Sequence, residues 1–138
     1  MDVLFLIGRI LFAALFLGSS VGHLTNTDQM AGFAESRGLR PGRPIVLGTG
    51  IQIALGGLLV LLGIWMDLGL ILIALFLLGT AFLMHPFWRE SDAQSRMMEQ
   101  IQFMKDLGLA GAAIYGLAAV WLLGDDLGLT ITGPLFAS

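Results

Sequence analysis

The chain has 138 residues, of which 57% are hydrophobic and 12% charged, and its mean hydropathy is +0.87. A water-soluble domain carries about a quarter charged residues, so too little polar surface is present to coat a soluble globule. The net charge of −3 argues against nucleic acid as a partner, and the lack of cysteine excludes disulfides, cysteine-held iron–sulfur clusters and thiol catalysis.

Crossing a bilayer takes about 20 apolar residues. Four stretches qualify, at 3–24, 45–65, 68–86 and 101–123, within one transmembrane domain covering 1–138. The first follows Met1-Asp2 with no basic n-region, and Arg9 interrupts its apolar run, so it is expected to be a retained helix and not a signal peptide. In the connection that follows, Met30, Phe33, Ala34 and Arg37 fall at i, i+3, i+4 and i+7. That spacing predicts a short amphipathic helix in the membrane interface. Gly38 ends it, and Pro41 and Pro44 stop it from running into the second span. Only Met66-Asp67 separates the second and third spans, which predicts a tight antiparallel hairpin.

Pro86 breaks the end of the third span. Ser91-Asp92-Ala93-Gln94 then reads as a capping box that opens a helix with Met97, Met98, Ile101 and Met104 on its apolar face. This helix is expected to bend directly into the fourth span. The expected fold is all-α: an integral membrane four-helix bundle, up-down-up-down, with two short amphipathic interfacial helices.

Charge sorts by side. Arg37, Arg40, Arg43, Arg89, Arg96 and Lys105 lie in or beside the two long connections, whereas Asp2, Asp67, Asp125 and Asp126 mark the other side. The positive-inside rule puts loops 25–44 and 87–100 in the cytoplasm and both termini outside.

Within the spans, polar residues are the candidates for chemistry. Arg9 lies about two turns into the first span. It either snorkels to the interface and pairs with Asp67, Asp125 or Asp126, or faces a cavity and holds an anionic or carbonyl-bearing head group. Gln52 lies deep in the second span and needs a hydrogen-bond partner, from another helix or from a ligand. Small-residue rows Ala14/Gly18/Gly22, Gly48/Gln52/Gly56 and Gly108/Ala112/Gly116 suit close helix packing.

His23 and His85 close the first and third spans, so the topology puts them at the same end. No third strong ligand stands at a persuasive spacing, so neither haem nor metal is assigned; proton handling or head-group binding fits two such histidines better. Glu99, Gln102, Lys105 and Asp106 converge on that end. They form either an interfacial ion-pair cluster or a polar vestibule lined by His23, His85, Gln102 and Asp106. No phosphate loop, H-E-x-x-H or nucleophile elbow is present, and no residue is assigned to catalysis.

Several segments resemble the DoxX family of membrane proteins: GRILFAALFLGSSVGHL in the first span, DQMAGFAESRG with its Pro-containing turn, FLMHPFW, and MMEQIQFMKDLGLAGAA. The resemblance runs over essentially the whole chain. It departs at Asp106, where the family commonly has Asn after the lysine. It implies a small multi-pass protein of the bacterial inner membrane, linked to quinol-oxidase, thiosulfate:quinone or thiol-redox systems. The leading expectation is therefore an accessory subunit of a quinone-linked redox system, without catalytic activity of its own. Its ligand-binding candidates are Arg9, His23, Gln52, His85, Gln102 and Asp106, its one candidate cofactor is quinone, and its partners are the bilayer, redox-enzyme subunits and further copies of itself. A small transporter or lipid-handling protein, or a structural assembly partner, are the alternatives.

Overall fold

A computed structural model describes residues 1–137. The helices are α1 (Asp2–Thr25), α2 (Thr27–Ser36), α3 (Gly42–Leu62), α4 (Met66–Met84) and α5 (Ala93–Leu123), and no strand forms among the described residues. Four segments, built on α1, α3, α4 and α5, are long and apolar enough to cross a membrane. Leu11, Leu55, Leu75 and Leu122 turn outward and stay exposed, as suits side chains whose solvent is lipid.

The turns are set by local chemistry. α1 breaks at Asn26, and the Thr27 hydroxyl donates to the freed carbonyl of His23 at 2.7 Å. α2 ends in a Schellman turn: Gly38 takes φ +89°, and the Leu39 and Gly38 N–H groups donate to the Ala34 and Glu35 carbonyls. Leu39 then packs on the small cluster of Ala31, Ala34 and Val46. Glu35 accepts from the Gly42 N–H at 3.1 Å and so caps the next helix.

α3 begins at Gly42, three residues before the expected Ile45, because Pro44 lies within its first turn, where a missing N–H costs nothing. A second Schellman turn, with Gly63 at φ +67° and the Ile64 N–H donating to the Leu59 carbonyl, ends it. The hairpin turn is therefore Gly63-Ile64-Trp65, and Met66 and Asp67 already belong to α4.

At the other connection, Pro86 is followed by a 3-10 turn over Phe87–Arg89. Phe82, Phe87 and Trp88 pack edge-on against Phe103 of α5, with centroids 5.2–5.6 Å apart, and brace the turn. The cap of α5 is Asp92, one residue later than expected. The Ser95 N–H donates to it at 2.9 Å, which holds its carboxyl below the ordinary carboxylate range. The second amphipathic stretch is not a separate helix: α5 runs unbroken from it through the fourth span.

α1 packs on α3, α3 on α4 and α4 on α5, whereas α1 and α5 barely touch. The shared core holds Phe16, Ile53, Val60, Ile73, Leu77 and Val120. The backbones of α3 and α4 approach closely, so that a Cβ on Gly69 would meet the Gly56 carbonyl oxygen at 2.8 Å. The expected small-residue rows carry this contact only in part. Gly18, Gly22, Gly48 and Gly108 face open space, because periodicity marks a face without saying which neighbour it meets. Gly69→Leu should therefore lower the unfolding free energy by about 1–3 kcal/mol, whereas Gly108→Leu should be neutral. Thermal unfolding in detergent measures both, and equal melting of the two variants would refute this packing.

Beyond a 3-10 turn at Gly124–Asp126, the chain folds back over the end of the bundle that holds both termini. The N–H groups of Ile131 and Thr132 donate to the Gly63 carbonyl at 2.9 and 3.0 Å, and the Thr132 hydroxyl accepts from the Trp65 N–H.

Candidate functional site

Polar residues gather at both ends of the bundle, and the two ends differ in kind. At the terminal end, Arg9 is 4% exposed. Its Nε donates to the Val60 carbonyl at 2.9 Å, Nη2 to Leu61 at 2.8 Å and Nη1 to Leu129 at 2.7 Å. Val60 and Leu61 lie in the last turn of α3, where carbonyls lack their regular i+4 helical partner and the dipole is negative; Val60 also accepts from the Gly63 N–H at 3.3 Å. Arg9 makes no ion pair with Asp67, Asp125 or Asp126 among the described residues. The expected carboxylate pairing is thus replaced by backbone carbonyls, and every nitrogen of the guanidinium is engaged.

Asp67 does separate work at the same end. It is 0% exposed and accepts from the N–H groups of Leu135 at 2.8 Å and Phe136 at 2.6 Å, from its neighbour Leu68, and from the Trp121 indole. Sequence inspection places Asp67 in a turn, but it holds the C-terminal segment. Between α1 and α5 at this end lies an apolar crevice of about 590 Å³, bordered by Phe5, Gly8, Arg9, Phe12, Gly116 and Val120.

The opposite end holds the basic connections and a larger, partly open cavity of about 880 Å³, lined by residues of α1 to α5. His23, Gln52, His85 and Asp106 all line it, so the structure brings together four of the six candidates. Gln102 is exposed, lies outside the cavity, and accepts from Lys105 Nζ at 2.6 Å. Phe16, Phe33 and Phe76 supply aromatic wall.

Each polar group is fixed by a neighbour. His23 Nδ1 lies 2.9 Å from the Ser19 carbonyl, and its ring meets Phe76 edge-on. A Cβ on Gly50 would meet the His23 Cβ at 2.7 Å, so α3 supports the histidine through a glycine. Gln52 Nε2 donates to the Leu72 carbonyl of α4 at 2.9 Å, the interhelical bond its depth requires. His85 Nδ1 lies 2.7 Å from Glu99 Oε2, and Nε2 lies 3.8 Å from Asp106 Oδ2. Arg37 binds Glu90 at 2.7 Å and Glu99 at 3.3 Å, which ties the end of α2 to α5. Lys105 Nζ approaches Asp106 Oδ1 at 3.5 Å.

The ion-pair cluster and the polar vestibule expected as alternatives are therefore one structure, the cluster forming the rim and Asp106 the wall. Side-chain exposure falls along it, from 18% at Glu99 to 16% at His85 and 5% at Asp106. Among the described residues, two buried side-chain atoms remain without a hydrogen-bond partner, Asp106 Oδ2 and Arg37 Nε. An orphaned acceptor costs about 1–3 kcal/mol, so Asp106 Oδ2 has room for a polar partner from solvent or a ligand. Sequence reasoning missed Arg37 as an anchor of this rim. Its one signal was its position as the last member of the amphipathic repeat.

Four long apolar helices with polar groups held between them define a multi-pass membrane protein. The DoxX family model matches residues 4–86, more than half of the chain, and the chain belongs to that family. The match spans α1 to α4 and includes His23, Gln52 and His85; α5, with Asp106, lies beyond it. No curated protein and no solved structure matches the chain.

Proposed function

We propose that this protein is an accessory subunit of a quinone-linked redox system in the bacterial inner membrane, and that it holds a quinone-type ligand in the cavity at its basic end. The observation that carries this is the cavity itself: about 880 Å³, largely apolar and aromatic, with a few convergent polar side chains and an orphaned carboxylate oxygen. An amphiphile with a flat polar ring and a long apolar tail matches such a lining. Family membership supports the same direction. By the positive-inside rule the basic end faces the cytoplasm and both termini face outward. The Arg9 end is the weaker candidate, since its donors are already spent on carbonyls.

Purification from native membranes in mild detergent tests this. Quinone should be retained at near-stoichiometric level by mass spectrometry, added quinone should raise the melting temperature, and a redox enzyme should co-elute. Phospholipid alone, with no quinone-induced thermal shift, would sink the proposal. That outcome would favour lipid handling, a second reading supported by the apolar crevice between α1 and α5.

A further inference from the structure

We infer that the crevice between α1 and α5 is a lipid site, which takes an acyl chain of an aminophospholipid and receives its primary ammonium on Asp2 and Asp126 at the mouth. This site does not depend on what the basic-end cavity holds.

The shape of the crevice suits a chain. Because α1 and α5 barely touch, no helix contact closes the space of about 590 Å³ between them. Leu4 and Leu123 border it and are 65% and 40% exposed, so it opens along its flank to the surroundings of the spans. For a transmembrane bundle those surroundings are lipid. Along α1 the lining runs from Asp2 inward to Phe12, about 15 Å at 1.5 Å per residue. A hydrocarbon core about 30 Å thick gives each leaflet about 15 Å. The crevice is therefore as deep as one leaflet, with its acidic mouth toward water and Phe12 toward the midplane.

Small residues keep it open. A Cβ on Gly8 of α1 would meet nothing within 4 Å, and one on Gly116 of α5 would meet only the Leu70 side chain, at 3.5 Å. A large side chain on either wall would fill the space that a lipid chain takes.

The mouth selects by charge. Asp2 and Asp126 both border the crevice, and neither joins a salt bridge among the described residues. Gly128 packs so closely on the Asp2 carboxylate that a Cβ there would collide with it, which seats the carboxylate at this edge. Arg9, the one basic side chain bordering the crevice, turns its guanidinium to the carbonyls of Val60, Leu61 and Leu129, and the other basic residues belong to the opposite end. A primary ammonium meets two carboxylates with three N–H donors. A choline head carries the charge without those donors, and the net negative charge of a phosphatidylglycerol is repelled.

The test places the full chain in nanodiscs of equimolar dioleoyl phosphatidylethanolamine, phosphatidylcholine and phosphatidylglycerol, and native mass spectrometry after mild release reads the lipid retained. Phosphatidylethanolamine should stay bound at about three- to tenfold over either competitor. Gly8→Phe and Ala112→Phe fill the crevice from opposite walls. Each should displace that lipid while helix content stays that of wild type. If one fails to fold the other decides, and if both fail the wild-type head-group ratio decides. Joint replacement Asp2→Asn and Asp126→Asn should keep a lipid but level the three head groups. No retained lipid, or phosphatidylethanolamine retained in full by a folded, filled variant, overturns the crevice as its site. Equal retention of the three head groups by wild type, a preference for phosphatidylglycerol, or a preference unchanged by the paired Asn replacement overturns recognition of the ammonium by Asp2 and Asp126.

Discussion

Replacing Arg9 with Met is expected to lower stability by about 3–5 kcal/mol, the largest effect of any single substitution proposed for this protein. Met keeps much of the apolar stem but strands the carbonyls of Leu61 and Leu129 and leaves Val60 with only the Gly63 N–H, where the guanidinium serves all three at 2.7–2.9 Å. Two effects oppose. Removing a cation from an apolar setting relieves a desolvation cost, while orphaning two carbonyls and weakening a third imposes about 1–3 kcal/mol for each one orphaned. The second wins because Arg9 lies at the negative end of α3, where the dipole already offsets much of the burial of its charge. Arg9→Lys should fall between the two, since a single ammonium cannot span a three-way fork. Thermal unfolding in detergent should rank wild type above Lys above Met. A Met variant as stable as wild type would show that the contacts contribute little.

The spans, the amphipathic α2 and the shared end of His23 and His85 were legible from apolar periodicity, turn residues and loop charge. These features depend on patterns carried by the residues themselves. The partners of Arg9 were not legible, because they are backbone carbonyls, and a carbonyl has no side-chain signature. Acidic residues on its side made a carboxylate pair the natural expectation. The C-terminal segment was opaque for a related reason. Leu127, Leu129, Ile131 and Leu135 fall at alternate positions, a strand-like spacing, yet the segment forms no strand, and the backbone groups of Leu129, Leu135 and Phe136 dock on Arg9 and Asp67. At the candidate site, convergence of the histidines and Asp106 followed from topology. The bridge from Arg37 through Glu99 to His85 depends on how α2 lies against α5, which helical spacing leaves open.

Asp67→Ala is the second large effect, expected at about 2–4 kcal/mol. Asp67 is fully buried, and its carboxylate is the acceptor for Leu135 and Phe136, whose N–H groups would lose their protein partner. Hydrogen bonds to a charged acceptor are roughly twice as strong as neutral ones. The remaining anchors of the segment are Gly63, Thr132 and Arg9, all further up the chain from its end. Release should therefore begin at the C-terminus. Limited proteolysis followed by intact mass should show loss of residues near 127–137 from the variant and their retention in wild type. Arg9→Met and Asp67→Ala act on one segment from two anchors, so their double variant should fall short of additivity. Because the clamp and the cavity occupy opposite ends of the bundle, Asp67→Ala should leave quinone affinity nearly unchanged while the melting temperature falls. Parallel loss of affinity and stability would mean that the two ends are coupled through α4, which carries Asp67 at one end and meets His85 at the other.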